Sequence, residues 1–308
     1  MNKPLGPYEF SSTELQTLKE LAHSSSSISD LAKSIRKSQP TATATIERLQ
    51  EKGFVDVQRR GMRKFVKISQ TRHAQLLREL MLMHPHVPWH LLLSHSQIFP
   101  LLRIGGASHT AVSRATEWRA FRNLMAHGII SKTDNAIQVN PRFSKVREFI
   151  HEFSSFMNSR LASQVSEAAA IVWASGPQFI IRVPQGTKIK DKRFKPTATS
   201  ALPYYGVSLI SDREYYFFSP KGGRLRPEDI ALHTLLLNGV INATYVLVLM
   251  LKARINRTIL VQKAEIVGLR AQVDAMLRFL DSHETQANAV LPSWNEFAEK
   301  AREYGVNP

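Results

Sequence analysis

No cysteine occurs among the 308 residues. That removes disulfides, thiolate zinc sites and cysteine nucleophiles at once, and it fits a reducing cytoplasm. Acid is scarce as well: 25 Asp and Glu stand against 41 Lys and Arg. The nucleotide-binding loops and the zinc-protease helix are missing, since no G-x-x-x-x-G-K-[ST], G-x-G-x-x-G or H-E-x-x-H occurs. The opening MNKPLGPYEFSSTEL lacks the apolar core that a secretory signal needs. The stretch His233 to Leu251 holds no Asp, Glu, Lys or Arg, but Asn238, Gly239, Asn242 and Thr244 interrupt it. It reads as two buried helices with a break, not as a membrane span.

What remains is a globular composition, 43% hydrophobic and 21% charged, with a net charge of +16. So basic a balance points to an acidic partner, nucleic acid before an anionic membrane surface. The charge is concentrated. Between Lys33 and Arg72 lie eleven cations, Lys52 among them, opposed only by Glu47, Glu51 and Asp56. That local charge of +8 is half of the chain's total.

The same region carries a helix pattern. Ser11 and Glu14 have the S-x-x-E spacing of a capping box, and Leu15, Leu18 and Leu21 follow on one helical face. A serine run breaks the chain, and Ser29-Asp30 reads as the cap of a short second helix. Ser38-Gln39-Pro40 restarts it, with Pro in the first turn where no amide partner is needed. The third helix is expected to reach about Lys52 with Ala42, Ile46 and Leu49 inward, and Gly53 to stop it. Val55 to Gln58 and Arg63 to Ile68 are β-prone, and Arg59-Arg60-Gly61-Met62 would join them. Three short helices and a basic hairpin make a winged helix-turn-helix. At its reading helix the N-terminus and the Ser38 hydroxyl suit a phosphate.

The segment SQPTATATIERLQEKGFV resembles the recognition helix and following strand of the multiple-antibiotic-resistance and arsenic-resistance regulator families, winged-helix transcription regulators of bacteria and archaea. The resemblance implies that Gln39, Thr41, Thr43 and Ala44 face base edges, and that Thr45 or Arg48 reaches phosphate. Gln can bond adenine bidentately, and Thr offers a hydroxyl and a methyl. Arg59, Arg60, Arg63 and Lys64 on the wing would hold the flanking backbone or enter the minor groove.

The chain then repeats itself weakly. Ile46 to Val55 aligns with Phe121 to Ile130, ending in Gly53 and Gly128 two residues before each end. His109 to Ala115 reads as a short helix, Thr116 as the start of the next, and Ser131 to Asn140 as a hairpin turning at Asp134-Asn135. The reading surface of this second, degenerate winged helix would show Glu117, Trp118, Arg119 and Arg122. An acid and a Trp suit packing or dimerisation better than a major groove, although Arg114, Arg119 and Arg122 leave DNA contact open. Phe149, Phe153 and Phe156 recur at helical spacing downstream, as core or as a dimer seam.

In the last third, apolar β-prone runs (Ile171-Val-Trp, Phe179-Ile-Ile-Arg-Val, Tyr215-Tyr-Phe-Phe218) flank a basic loop, Lys188 to Lys195. Helices are expected at Pro227–Leu237, Ala243–Lys252, Ile259–Val267, Leu269–Leu280 and Ser293–Tyr304. FFSPKGGRLRPEDIALHTLLLNG and LPSWNEFAEKAREYGV resemble archaeal winged-helix regulators. The C-terminal domain of those regulators is similar to abortive-infection antitoxins and, more remotely, to nucleotidyltransferases. That resemblance covers residues 168 to 308 and implies a half that senses or assembles rather than catalyses. A nucleotidyltransferase would need carboxylates in D-x-D spacing after a Gly-Ser turn to hold Mg²⁺. Asp212 and Glu214 have the spacing without the turn, and the adjacent Glu228 and Asp229 are explained by a helix start. His84, His86, His90 and His95 lie close in sequence but no acid joins them.

The sequence thus predicts an α+β chain: two tandem winged-helix domains followed by a small α/β C-terminal domain with a helical tail. The expected divisions are 1–75 for DNA binding, 76–161 for a linker helix, the degenerate copy and a following helix, and 162–308 for a regulatory or assembly domain. The function expected is a cytoplasmic, homodimeric transcription regulator that binds double-stranded DNA, with no enzyme activity, cofactor, metal or membrane. The alternative is an antitoxin-like protein that holds a toxin partner through its C-terminal domain and autoregulates by binding DNA.

Overall fold

The computed structural model describes residues 5–61, 63–104, 113–133, 136–209, 211–220, 222–238, 243–283 and 291–308. The chain is of the α+β class, with small antiparallel sheets. It divides into two compact units, Met1–Arg160 with Ser175–Pro177, and Leu161–Ala174 with Gln178–Pro308.

The first unit begins with α1 (Ser12–Leu21), capped as the sequence predicts: the Ser11 hydroxyl accepts the Glu14 amide, and the Glu14 carboxylate accepts the Ser11 amide. A two-residue strand, β1 (Ser26–Ser27), leads into α2 (Ile28–Ser34). Its cap is Ser27 and not the expected Ser29-Asp30, because the Ser27 hydroxyl takes the Asp30 amide. Helix α3 (Gln39–Glu51) follows, then β2 (Val55–Arg60) and β3 (Arg63–Ile68). The strands run to the tip of the hairpin, with Arg60 opposite Arg63, so the expected four-residue connection shrinks to two. Strand β1 pairs with the other edge of β3, giving a three-stranded antiparallel sheet in the order β1-β3-β2.

Helix α4 (Arg72–Met83) continues into α5 (Trp89–Leu92), a 3-10 turn at His95–Ile98, and α6 (Phe99–Ile104). Helix α7 (Arg114–Ala126) and the hairpin β4 (Ile130–Thr133) and β5 (Ala136–Val139) cover the second copy of the sequence repeat. Most of the helix expected at His109 to Ala115, and the turn at Asp134-Asn135, lie outside the described residues. Its last part is corrected: the Ser113 hydroxyl accepts the Thr116 amide, so Ser113 caps α7 and the helix starts before Thr116.

Helix α8 (Ser144–Val165) lies in the first unit through Arg160, and its last residues belong to the second. Its Phe149 and Phe153 are buried in an aromatic core with Phe10 and Phe54, ring centroids 5.2–6.3 Å apart. Phe156 stacks obliquely on His73, 4.5 Å between centroids. The stripe is therefore core, with Tyr8 edge-on to Phe153 at 6.3 Å. Each such side chain contributes on the order of 2 kcal/mol by leaving water. Gly53 is held between two constraints. Its φ of +71° ends α3 in the left-handed region, and a Cβ there would lie 2.4 Å from the Phe156 ring.

The second unit carries β6 (Ala170–Ser175), β7 (Gln178–Pro184), β8 (Phe194–Pro196) and β9 (Arg213–Phe218), in sheet order β6-β7-β9-β8. Strands β7, β8 and β9 pair antiparallel. The expected α/β arrangement is corrected to α+β here, because among the described residues the strands are joined by loops and a 3-10 segment with no helix between them. Phe179, Phe194 and Phe218 cluster where β7, β9 and β8 meet, with Phe179 stacked on Phe218 and edge-on to Phe194. The helices come afterwards: α9 (Pro227–Asn238), α10 (Ala243–Lys252), α11 (Arg257–Ile266), α12 (Arg270–Ser282) and α13 (Trp294–Glu303). Val246, Leu247, Leu249, Leu260, Phe279 and Phe297 fill their shared core. Among the described residues no helix is long and apolar enough to cross a membrane.

Candidate nucleic-acid interface

Helix α3 has a buried side and an open one. Ala42, Thr45, Ile46 and Leu49 are buried, while Ser38, Gln39, Thr41, Glu47 and Arg48 are exposed and Thr43 and Ala44 half-buried. The open side thus presents the Gln and Thr side chains that the sequence singled out. The Ser38 hydroxyl is shared with the Thr41 hydroxyl at 2.8 Å and caps the Thr41 amide. The Thr43 hydroxyl donates to the Gln39 carbonyl, so its oxygen can still accept.

Thr45 is a correction. It is fully buried, and its hydroxyl donates to the Thr41 carbonyl, so it cannot reach a phosphate. Position 45 lies three residues after Ala42 and four before Leu49, on the face those two bury. Arg48 remains accessible, with 44% of its side chain exposed, and its guanidinium leans 3.5 Å from the buried Glu14 carboxylate.

Lys52 also leaves the basic surface. Its ammonium is buried, donating to Glu14 Oε1 at 2.8 Å and to the Glu9 carbonyl at 2.6 Å, and it sits 4.9 Å over the Phe10 ring. Burial pulls its pKa down, and the Glu14 charge opposes that. No signal near Lys52 in the chain foretells this, but Glu14 announces itself through the capping box. Below it, His73 donates Nε2–H to the Lys52 carbonyl at 2.9 Å, and burial pushes its pKa down to about 4.

At the hairpin, Arg59, Arg63 and Lys64 are exposed, with Arg59 opposite Lys64 in the register. Arg59 Nε also donates to the Gly61 carbonyl, and Gly61 takes a φ of +59° at the turn. Arg60 is placed by its backbone, opposite Arg63. Three exposed cations thus crowd the strand ends, with the hydrophobic residues Val55, Val66 and Ile68 buried at the other end of the ladder.

The second copy matches the first at a constant offset. Ser113 meets Thr116 at 2.9 Å as Ser38 meets Thr41. The Ile129 amide reaches the Leu124 carbonyl as the Phe54 amide reaches Leu49. Ile129 and Phe54 each accept one return bond, from Asn140 and Ser69, both at 2.9 Å. One expectation about its surface is corrected. Glu117 is buried, and Arg103 of α6 neutralises it at 2.8 Å. Trp118 is 53% exposed, and Arg114, Arg119 and Arg122 are exposed around it.

The carboxylates weighed as metal ligands each have other partners. Asp212 pairs with Arg213, Glu214 accepts the Tyr216 hydroxyl and the Gly186 amide, Glu228 accepts the Asn256 amide, and Asp229 pairs with Lys263. Among the described residues no group of three or more His, Asp or Glu could hold a metal ion. His84 instead lies against the Phe143 ring, 4.4 Å between centroids.

A family model described as HVO_2833_C, C-terminal, matches residues 191–306, so the chain is similar to that family over β8 to the end of α13. No curated protein and no solved structure matches the chain.

Proposed function

We propose that this chain is a DNA-binding transcription regulator whose residues 5–68 form a winged helix-turn-helix. Helix α3 is the reading helix and the β2–β3 hairpin is the wing. One observation carries the reading: α3 buries its apolar side and turns Gln39, Thr41 and Thr43 outward, in the same module whose hairpin exposes Arg59, Arg63 and Lys64. Amide and hydroxyl side chains on an open helix face are suited to base edges, and cations on a hairpin to phosphate. Ser38, with the N-terminus of α3, is suited to a phosphate at the groove edge, and Arg48 to one further along.

The second copy, α7 with β4 and β5, is the degenerate winged helix of the same pattern. The C-terminal unit is the regulatory or assembly half, in line with the resemblance to regulators whose C-terminal domains are similar to abortive-infection antitoxins. Acting in the cytoplasm as a homodimer, the protein would set two reading helices about 34 Å apart, one turn of DNA. Immunoprecipitation of the tagged chain with its bound DNA from cells tests the reading. A recurrent motif among the recovered fragments is expected. Recovery of fragments without any shared sequence, at the level of an untagged control, would overturn it.

A further inference from the structure

The two copies carry their charge on different parts. On α3 the exposed charges are Glu47, Arg48 and Glu51, so the reading helix itself has no excess of cations. Its module relies on the hairpin for them. On α7 the exposed charges are Arg114, Arg119 and Arg122, and the helix's one acid, Glu117, is buried and neutralised by Arg103. Its hairpin is shorter, four residues to a strand, and Lys132 is its one cation among the described residues.

The constant offset between the copies sharpens the contrast. Arg114 stands in the register of Gln39, Trp118 in that of Thr43, Arg119 in that of Ala44 and Arg122 in that of Glu47. Gln39, Thr43 and Ala44, three of the proposed readers of the first copy, are thus replaced by cations and an indole in the second. Arg114 and Arg122 lie one turn to either side of Trp118 on the same face. Such a face has charge for phosphates and an apolar plate for sugars, but it lacks the amide of Gln39 and the hydroxyl of Thr43.

We infer that α7 is a second DNA contact that grips without reading. Arg114, Arg119 and Arg122 bind phosphates of a duplex, and Trp118 lies on the sugar backbone between them. The inference rests on the reading of the first copy as a DNA-binding module, and it extends the footprint beyond that module. The two copies then divide the work, helix for sequence and wing for grip in the first, helix for grip in the second.

The test uses the full chain, a fluorescein-labelled duplex of random sequence and the matching single strand. Binding is followed by anisotropy across a salt series. Wild type is compared with the triple variant Arg114→Ala, Arg119→Ala, Arg122→Ala, with Trp118→Ala, and with the hairpin variant Arg59→Ala, Arg63→Ala. The triple variant is expected to lower the slope of log K against log salt by roughly two to three, at about 0.9 for each phosphate no longer neutralised. It should also shorten the nuclease footprint on an immunoprecipitated site without changing the preferred motif. Trp118→Ala should weaken duplex binding several-fold with the slope unchanged.

An unchanged slope and footprint in the triple variant, with the hairpin variant impaired, would overturn the inference and leave the first module's role intact. The reverse pattern would uphold α7 and remove the hairpin. Tighter binding of wild type to the single strand, abolished in Trp118→Ala, would overturn the duplex in favour of unpaired bases. No binding of wild type to the duplex at low salt would overturn both readings.

Discussion

The ammonium of Lys52, at the end of α3, lies 2.8 Å from a Glu14 carboxylate that has no solvent exposure. The pair joins the first turn of α1 to the last turn of α3 and so fixes how the proposed reading helix sits. Removing one partner leaves the other charge buried alone, which typically costs about 3 to 5 kcal/mol. Glu14→Gln and Lys52→Met should each lower unfolding free energy by about that much in urea melts. The double variant should lose less than the sum of the two. Strict additivity would mean that the two groups do not act as a pair.

His73 gives the fold a pH dependence with a definite sign. Burial holds its folded pKa near 4, below the ordinary value of 6.5, so the folded state favours the neutral ring. The unfolded chain then binds more protons between those values, and stability falls as pH drops through that window. Above about pH 6.5 the contribution is complete, and below about pH 4 nothing more is lost. The drop across the window is on the order of 3 kcal/mol. Urea melts at several pH values should show a shallower decline in His73→Phe than in wild type. Parallel curves for the two would exclude His73 as the source.

At Gly53 the backbone and a neighbouring ring act together. A non-glycine residue at positive φ costs roughly 1 to 2 kcal/mol, before any clash with Phe156. Gly53→Ala should therefore cost more than that in wild type and a smaller amount in a Phe156→Ala background. Equal losses in both backgrounds would show that the ring does not constrain the site.

The proposed interface predicts two separable phenotypes. Arg59→Ala with Arg63→Ala should weaken binding to every sequence and reduce the salt slope by roughly one to two. Gln39→Ala should keep the slope and lose discrimination at one base position, worth about 1 to 3 kcal/mol. Thr45→Val, at a buried position, should leave the DNA affinity as it is. Because the Arg48 guanidinium donates to the Thr45 hydroxyl at 3.4 Å, the comparison is made in an Arg48→Ala background, where a further change of salt slope in Thr45→Val would contradict the burial of that hydroxyl.

Much of the local architecture is legible in the sequence because its signals are local. Ser11 with Glu14, Ser38 with Pro40, Gly53 and Ser293 mark helix ends through backbone chemistry within four residues, and the structure puts ends at each. The five C-terminal helices fall within two residues of their expected limits at each end. What escaped reading depends on distant partners. Ser26–Ser27 becomes a strand only because β3 offers it an edge. Lys52 leaves the surface only because Glu14 waits beneath it, and Glu117 only because Arg103 does. Thr45 is different: the burial pattern of its neighbours contained the answer, but the family resemblance put it among the phosphate contacts.

The aromatic stripe of α8 also limits how this protein can be taken apart. Phe149 and Phe153 come from late in the first unit, and they cover Phe10 and Phe54 from its beginning. A fragment ending near residue 75 would leave those rings and His73 facing water. The proposed reading head is thus not a cassette that recombination or grafting could move by itself. Any transfer to another protein has to carry the chain through to about residue 160.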